Sequence, residues 1–211
     1  MNNLIKVSMM ALAFASFSMA EGLSVGGHVS GAYSAFWGDS DMEDFWGPGF
    51  NAGIALYLPF TPSIGFNPEV TFGYRSESNE ETIAEEVKLK VDLSQMNIDI
   101  PLLFRFNVAS GLFFEAGPFM SLALSDNFDY TAEYNGEDVT AAVEAEAEAA
   151  GGPIEGPDQK FFEMGILAGV GYSITPKIDV DARFGLGLTK LYDDADAKSF
   201  MFHLGGTFWF M

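Results

Sequence analysis

The residues of this sequence whose types could do acid–base or ion-binding chemistry are His28, Glu69, Arg75, Asp99, Arg105, Glu115, Glu163, Asp179, Asp181, Arg183 and His203. Imidazoles and carboxylates make a general acid–base centre when they converge on one substrate. Their surroundings argue against that here. Each stands inside an alternating run whose other parity is apolar. From Met96 to Phe106, for example, Met96, Ile98, Ile100, Leu102, Phe104 and Phe106 alternate with Asn97, Asp99, Pro101, Leu103 and Arg105. Period two belongs to a strand, so these groups sit in mid-strand on one face. No Ser-His-Asp order and no Gly-x-Ser-x-Gly elbow accompanies them, so no catalytic residue is assigned. With no cysteine there is neither a disulfide nor a thiolate metal site, and no cofactor motif is present. Asp39-x-Asp41 and Asp194-x-Asp196 offer closely spaced carboxylates, but neither is followed by the glycine and glutamate of a calcium-binding loop. Asp39, Asp41, Asp193, Asp194 and Asp196 therefore read as solvated acidic surface, attracting divalent cations diffusely.

Eight alternating runs position the polar groups. They are Leu23 to Phe36, Asn51 to Phe60, a third around Asn67 to Arg75, Val87 to Phe106, Leu112 to Leu124, Phe161 to Tyr172, Ile178 to Thr189 and Met201 to Phe210. In the fourth, Val87, Leu89, Val91 and Leu93 are odd-numbered whereas the apolar residues from Met96 onward are even, a shift that predicts a β-bulge between Leu93 and Met96. The connections alternate long and short, and the long ones hold 22 of the 30 acids. In an antiparallel meander alternate connections share an end, so one end is acidic and irregular and the other tight. The longest, 125–159, carries an Ala/Glu-rich run from Ala141 to Ala150 that predicts a short helix. Asp138 or Thr140 could cap it, and Gly151-Gly152-Pro153 could stop it.

These features predict an all-β fold: a closed eight-stranded antiparallel up-and-down transmembrane β-barrel with long acidic extracellular loops and short periplasmic turns. The apolar face would meet lipid. His28, Glu69, Arg75, Asp99, Arg105, Glu115, Glu163, Asp181, Arg183 and His203 would form a polar network in the lumen. Tyr33, Trp37, Trp46, Tyr74, Phe161 and Tyr192 near the loop end, and Phe60, Phe66, Phe106, Tyr172 and Phe210 near the turn end, would supply two interfacial belts. Residues 1–20 read as a secretory signal peptide: one Lys, an apolar stretch too short to span a bilayer, then Ser18-Met19-Ala20. The barrel would occupy 21–211. A net charge of −20 argues against nucleic acid as a partner.

The stretches Asn67-Pro-Glu-Val-Thr-Phe-Gly-Tyr74, Ile98-Asp-Ile-Pro-Leu-Leu-Phe104, Glu115-Ala-Gly-Pro118 and Asp181-Ala-Arg-Phe-Gly-Leu-Gly-Leu188 together resemble the PorT-like outer-membrane β-barrel family of Bacteroidetes and their relatives. The resemblance implies an integral outer-membrane barrel, contact with outer-membrane lipid and the barrel-assembly machinery, and no catalytic residue. Barrels of this kind usually end on an aromatic residue; here Met211 follows Phe210, a departure from that pattern.

Three functional readings follow from the sequence. In the first, the lumen is filled by paired side chains, and the role is structural or binding, with a protein partner at 125–159. In the second, the excess of lumen acids makes a small cation-preferring pore. In the third, the apolar face turns inward and the chain is a soluble periplasmic lipocalin-like barrel. The inward glycines and Arg183 favour lipid outside.

Overall fold

The computed structural model describes residues 22–38, 45–84, 87–150, 152, 154, 156, 159–192 and 195–210. The signal-peptide reading and Asp39, Asp41, Asp193 and Asp194 lie outside these. The elements are β1 (Ser24–Trp37), β2 (Trp46–Pro59), β3 (Ile64–Ala84), β4 (Val87–Ala109), β5 (Leu112–Tyr134), β6 (Glu137–Asp138), α1 (Thr140–Ala150), β7 (Phe162–Thr175), β8 (Ile178–Gly187) and β9 (Lys198–Trp209). Setting aside the two-residue β6, each strand pairs antiparallel with its sequence neighbours. β1 pairs with β9, so the sheet closes into a ring of eight. Closure satisfies every ladder and removes the edges that lipid could not hydrate.

The side chains alternate as the sequence predicts, with polar groups inward. His28, Glu69, Arg75, Asn97, Asp99, Glu115, Glu163 and Arg183 are buried, whereas Val29, Ile54, Phe72, Phe104, Phe114, Ile166, Phe184, Phe202 and Leu204 are exposed on the outer face. A lumen this narrow must be filled by side chains, and inward glycines make room for the largest. A Cβ at Gly171 would collide with the Phe113 ring. One at Gly73 would come within 2.6 Å of Asp99 Oδ2 and 2.8 Å of Asn51 Nδ2, atoms that bond to each other across that glycine. This arrangement excludes the lipocalin-like reading, whose apolar face would be inside.

Three strands run well past the bilayer. β3, β4 and β5 have 21, 23 and 23 residues, against the roughly 9–11 that a tilted strand needs to cross. Residues 76–84 and 125–134, expected to be loop, are therefore strand that stays paired with β4 above the membrane. Above the lipid, water lies outside the sheet, so the pattern inverts: Val91 and Leu93 turn inward and Lys88 and Lys90 outward. The change of apolar parity in β4 is thus a change of solvent, not a bulge, and β4 pairs with β3 without a shift there. The bulge lies in the neighbour. Met96 pairs with Ser125 and Asn97 with Ala123, leaving Leu124 unmatched in β5. That extra residue re-aims Phe128, Tyr130 and Ala132 inward, opposite Leu93, Val91 and Leu89.

The predicted helix is α1. Asp138 does the capping: its Oδ1 accepts from the Thr140 N–H at 2.9 Å. Hydrogen bonds from the Thr140 hydroxyl and N–H hold its carboxyl below the ordinary value. The Thr140 hydroxyl also accepts from the Ala132 N–H at 3.0 Å, tying the helix to β5. Among the proposed belt residues, the Tyr33 and Trp46 rings lie 5.6 Å apart near the loop end, and the Phe66 ring lies 5.3 Å from that of Phe104 near the turn end. Tyr192 is a correction: it is 4% exposed and belongs to an interior cluster.

Placing a charge on the lipid face tests this orientation. Phe184→Arg should lower unfolding stability by about 2–4 kcal/mol in urea titrations in lipid vesicles. Asp129→Arg, on the extension of β5 above the bilayer, should change it by under about 0.5 kcal/mol.

Candidate functional site

The lumen groups assemble in tiers, each built around one arginine. At mid-height Arg183 on β8 reaches across the barrel to β3, where Nη1 and Nη2 donate to the two carboxylate oxygens of Glu69 at 2.8 and 2.7 Å. Its Nε donates to Glu115 of β5 at 2.5 Å and lies 2.9 Å from Asp181 Oδ1. Asn67 donates to Glu69 at 2.8 Å, and His28 Nδ1 shares a hydrogen bond of 3.0 Å with the Thr207 hydroxyl while lying 3.9 Å from Asp181.

Nearer the loop end, Arg75 bridges Asp99 at 3.1 Å and Glu163 at 3.3 Å. Asp99 also accepts from Ser121 at 2.5 Å and from Asn51 at 2.7 Å, and Glu163 accepts from the Ser199 hydroxyl. Nearer the turn end, Arg105 donates to Asp179 at 2.5 Å and to Ser173 at 2.9 Å. Its guanidinium carbon lies 3.6 Å from the centre of the Phe113 ring, and Trp209 Nε1 donates to the same Asp179 at 2.8 Å. Bidentate and charge-assisted bonds of this kind are the strong ones, and they are what lets ions sit in a low-dielectric interior.

Both ends of the lumen are closed by apolar side chains. At the loop end Phe36, Phe45, Leu93, Leu191, Tyr192 and Ala197 form a buried cluster, with Tyr192 edge-on to Phe36 at 5.9 Å. Burial there pushes the Tyr192 phenol above its ordinary pKa. At the turn end Phe113, Trp209 and Tyr57 surround Arg105. A further apolar group, Leu103, Phe119, Leu167 and Met201, packs inside the barrel wall. Between Arg75 and Arg183 the remaining cavity measures about 30 Å³, about the share of liquid volume of one water.

All ten lumen residues named from the sequence are buried. The structure joins Glu69, Glu115, Asp181 and Arg183 into one group and Arg75, Asp99 and Glu163 into another. His28 and His203 are on paired strands, but His28 faces Thr207 and His203 faces Ala32, so the rings stand at different heights. Asp196 is half-exposed and lies 3.5 Å from Lys190 and 3.8 Å from Lys198. Sequence reading missed Glu77, which it left in an acidic loop. Glu77 is 1% exposed and accepts from the Ser34 hydroxyl at 2.6 Å. Its odd parity, continuous with Glu69, Thr71, Gly73 and Arg75, was the available signal. Among the described residues, seven buried carboxylates (Glu69, Glu77, Asp99, Glu115, Glu163, Asp179, Asp181) face three buried arginines.

A ring of eight strands with lipid-facing apolar residues and an ion-paired lumen is the architecture of an outer-membrane barrel. Residues 14–193 match the family described as Outer membrane protein beta-barrel domain. The chain belongs to that family. It is an integral β-barrel of the outer membrane. Among curated proteins none matches this member of the family. Solved structures similar to it include Ail, the attachment invasion locus protein of Yersinia pestis, at 11% identity and a TM-score of 0.41, covering 89% of this chain and 98% of that one. Neisserial surface protein A (NspA) is similar at 17% identity and 0.45, covering 89% and 99%. OprG from Pseudomonas aeruginosa is similar at 7% identity and 0.43, covering 89% and 95%.

The crowding of acids around one guanidinium gives an asymmetric expectation for this family member. Arg183→Met leaves Glu69, Glu115 and Asp181 without their cation and should cost about 3–5 kcal/mol of unfolding free energy. Glu115→Gln keeps an acceptor for Nε and removes one surplus charge, so it should cost about 1 kcal/mol or less. Urea-induced loss of tryptophan fluorescence in vesicles measures both.

Proposed function

We propose that the barrel interior is a structural plug and that this protein acts by binding, through the elements at its loop end. The observation that carries this reading is closure: paired arginines fill the lumen and apolar clusters cover both of its ends. Groups held in that way have no route to a substrate, so no catalytic residue is assigned, and no cofactor is called for. A PorT-like affiliation agrees with the strand motifs at Asn67–Tyr74 and Ile98–Phe104.

Function concentrates in irregular elements carried by a rigid scaffold. Here the scaffold raises the paired extensions of β3, β4 and β5, and α1, beyond the bilayer, on the side that outer-membrane barrels present to the exterior. Glu144, Glu146 and Glu148 of α1 and Asp196 are exposed and carry acidic charge. A protein partner that meets residues 125–159 is the reading this placement supports. Outer-membrane lipid surrounds the wall, and the barrel-assembly machinery would install it.

Deleting Thr131 to Pro157 should leave a barrel that still migrates faster unboiled than boiled in SDS, while partner capture from the cell surface is lost. Loss of the heat-modifiable band would show that the segment is part of the fold instead.

The surplus of buried carboxylates favours a second reading, a cation-preferring pore. Planar-bilayer recordings separate the two. The plug predicts no unitary steps; reproducible steps that shrink in Asp99→Asn or Glu115→Gln would establish the pore.

A further inference from the structure

Closure pairs every strand across the membrane, but above it one side of β5 stands open. β7 accompanies β5 only as far as Leu122. The Ala123 N–H still bonds to the Phe161 carbonyl, and there the chain before β7 turns away: the Lys160 N–H donates to Leu191, and Gln159 bridges to Tyr192. Higher up, β6 takes Glu133 and Tyr134, and the Ala132 backbone is satisfied by Val139 and the Thr140 hydroxyl. Backbone groups point to alternate sides along a strand. With Ala132 turned to this side, Asp126, Phe128 and Tyr130 turn their N–H and C=O groups the same way, while Asn127, Asp129 and Thr131 spend theirs on β4. Among the described residues nothing pairs with those six groups. Val143 of α1 lies over the inner face of the strand, and Asp126, Asn127 and Asp129 remain exposed. An open row of backbone donors and acceptors is a template for another extended strand.

We propose that the 124–131 edge of β5 is a docking site for an extended basic segment of a partner protein, which adds to the sheet as a further strand. The main chain holds the segment, and charge selects it. Residues 125–134 carry Asp126, Asp129 and Glu133 and no base, and Lys88 and Lys90 on the neighbouring strand are engaged by Glu80 and Asp92. A second copy of this chain would set acids against acids along the same edge, which is unfavourable. Side-chain alternation gives the segment a pattern. Its basic residues lie beside Asp129 on the outer face. The apolar residues between them lie beside Phe128 and Tyr130, whose rings are half-buried and 6.0 Å apart. The other open edge among the described residues, β3 beyond Ser78, is shorter. The proposal deepens the reading of 125–159 as a partner-binding element and rests on it, adding that the contact is made backbone to backbone.

The test uses the full barrel in nanodiscs of zwitterionic lipid, with the end-capped peptide Lys-Val-Lys-Val-Lys-Val-Lys as the probe and amide hydrogen exchange as the readout. Saturable binding of one peptide per chain is expected. Exchange should slow at least tenfold at Asp126, Phe128 and Tyr130, and change little at Asn127 and Asp129, which already bond to β4. The same peptide with its valine nitrogens methylated keeps its charge but cannot pair as a strand, and should bind at least tenfold more weakly. Asp126→Pro, which removes an edge donor, should weaken the unmethylated peptide about tenfold, against under about threefold for Asp126→Ala, with heat-modifiable mobility unchanged in both. No saturable binding, equal binding of the two peptides, or protection of Glu80 and Thr82 instead would overturn the site. Capture of a cell-surface partner that is lost on deleting Thr131 to Pro157 but kept in Asp126→Pro would overturn the edge while leaving the reading of 125–159 in place.

Discussion

Arg183 is held by Glu69 from the far wall and by Glu115 two strands away, and stands beside Asp181 on its own strand. The rest of the barrel can be understood as the set of conditions that make this group tolerable. An ion moved out of water costs several kcal/mol unless a counter-charge meets it in good geometry. Glu69 on β3 meets Arg183 on β8 only when the sheet curls round into the ring, so the pairing and the ring require each other. The same holds for Arg75 on β3 with Glu163 on β7, and for Arg105 on β4 with Asp179 on β8. Each guanidinium is a tie across the lumen, and together they leave little volume through which anything could move.

Outside the ring, lipid imposes the complementary demand. A side chain that faces hydrocarbon must be apolar, which is why Ile54, Phe104, Ile166 and Phe202 are exposed without being sticky in water. Where the strands leave the bilayer, the demand reverses within a single strand. β4 shows the change directly: its odd residues are Arg105, Asp99 and Asn97 inside the membrane part, then Leu93 and Val91 above it. One sheet therefore carries two opposite amphipathic patterns end to end. β5 makes the same transition by a different device, inserting Leu124 so that its acids face water and its aromatics face inward.

Membership of the outer-membrane β-barrel family fits this division of labour. The membrane part is spent on closure and charge pairing, and the freedom to acquire a specific role lies with the strand extensions and α1 above it. The apolar cluster of Phe36, Phe45, Leu93, Leu191 and Tyr192 separates the two regions. It seals the polar lumen from above and gives the extensions of β4 and β5 a firm base.

The sequence by itself determined the strands, their number, the inward and outward faces and ten of the buried polar residues, because period-two alternation records which solvent each side chain meets. It also recorded the capped helix, since Asp138 and the alanine-rich run act locally. It did not reveal that Glu77 is interior, that residues 76–84 and 125–134 are strand, that the bulge lies at Leu124 rather than in β4, or that Tyr192 packs inward. Those outcomes depend on where the bilayer ends along the barrel, and on which strand faces which. Polarity alone cannot separate an acidic strand above the membrane from an acidic loop, because both are polar toward water. Nor can it pair charges: Arg183 lies 114 residues from Glu69 in the chain, and only the closed ring brings them into contact.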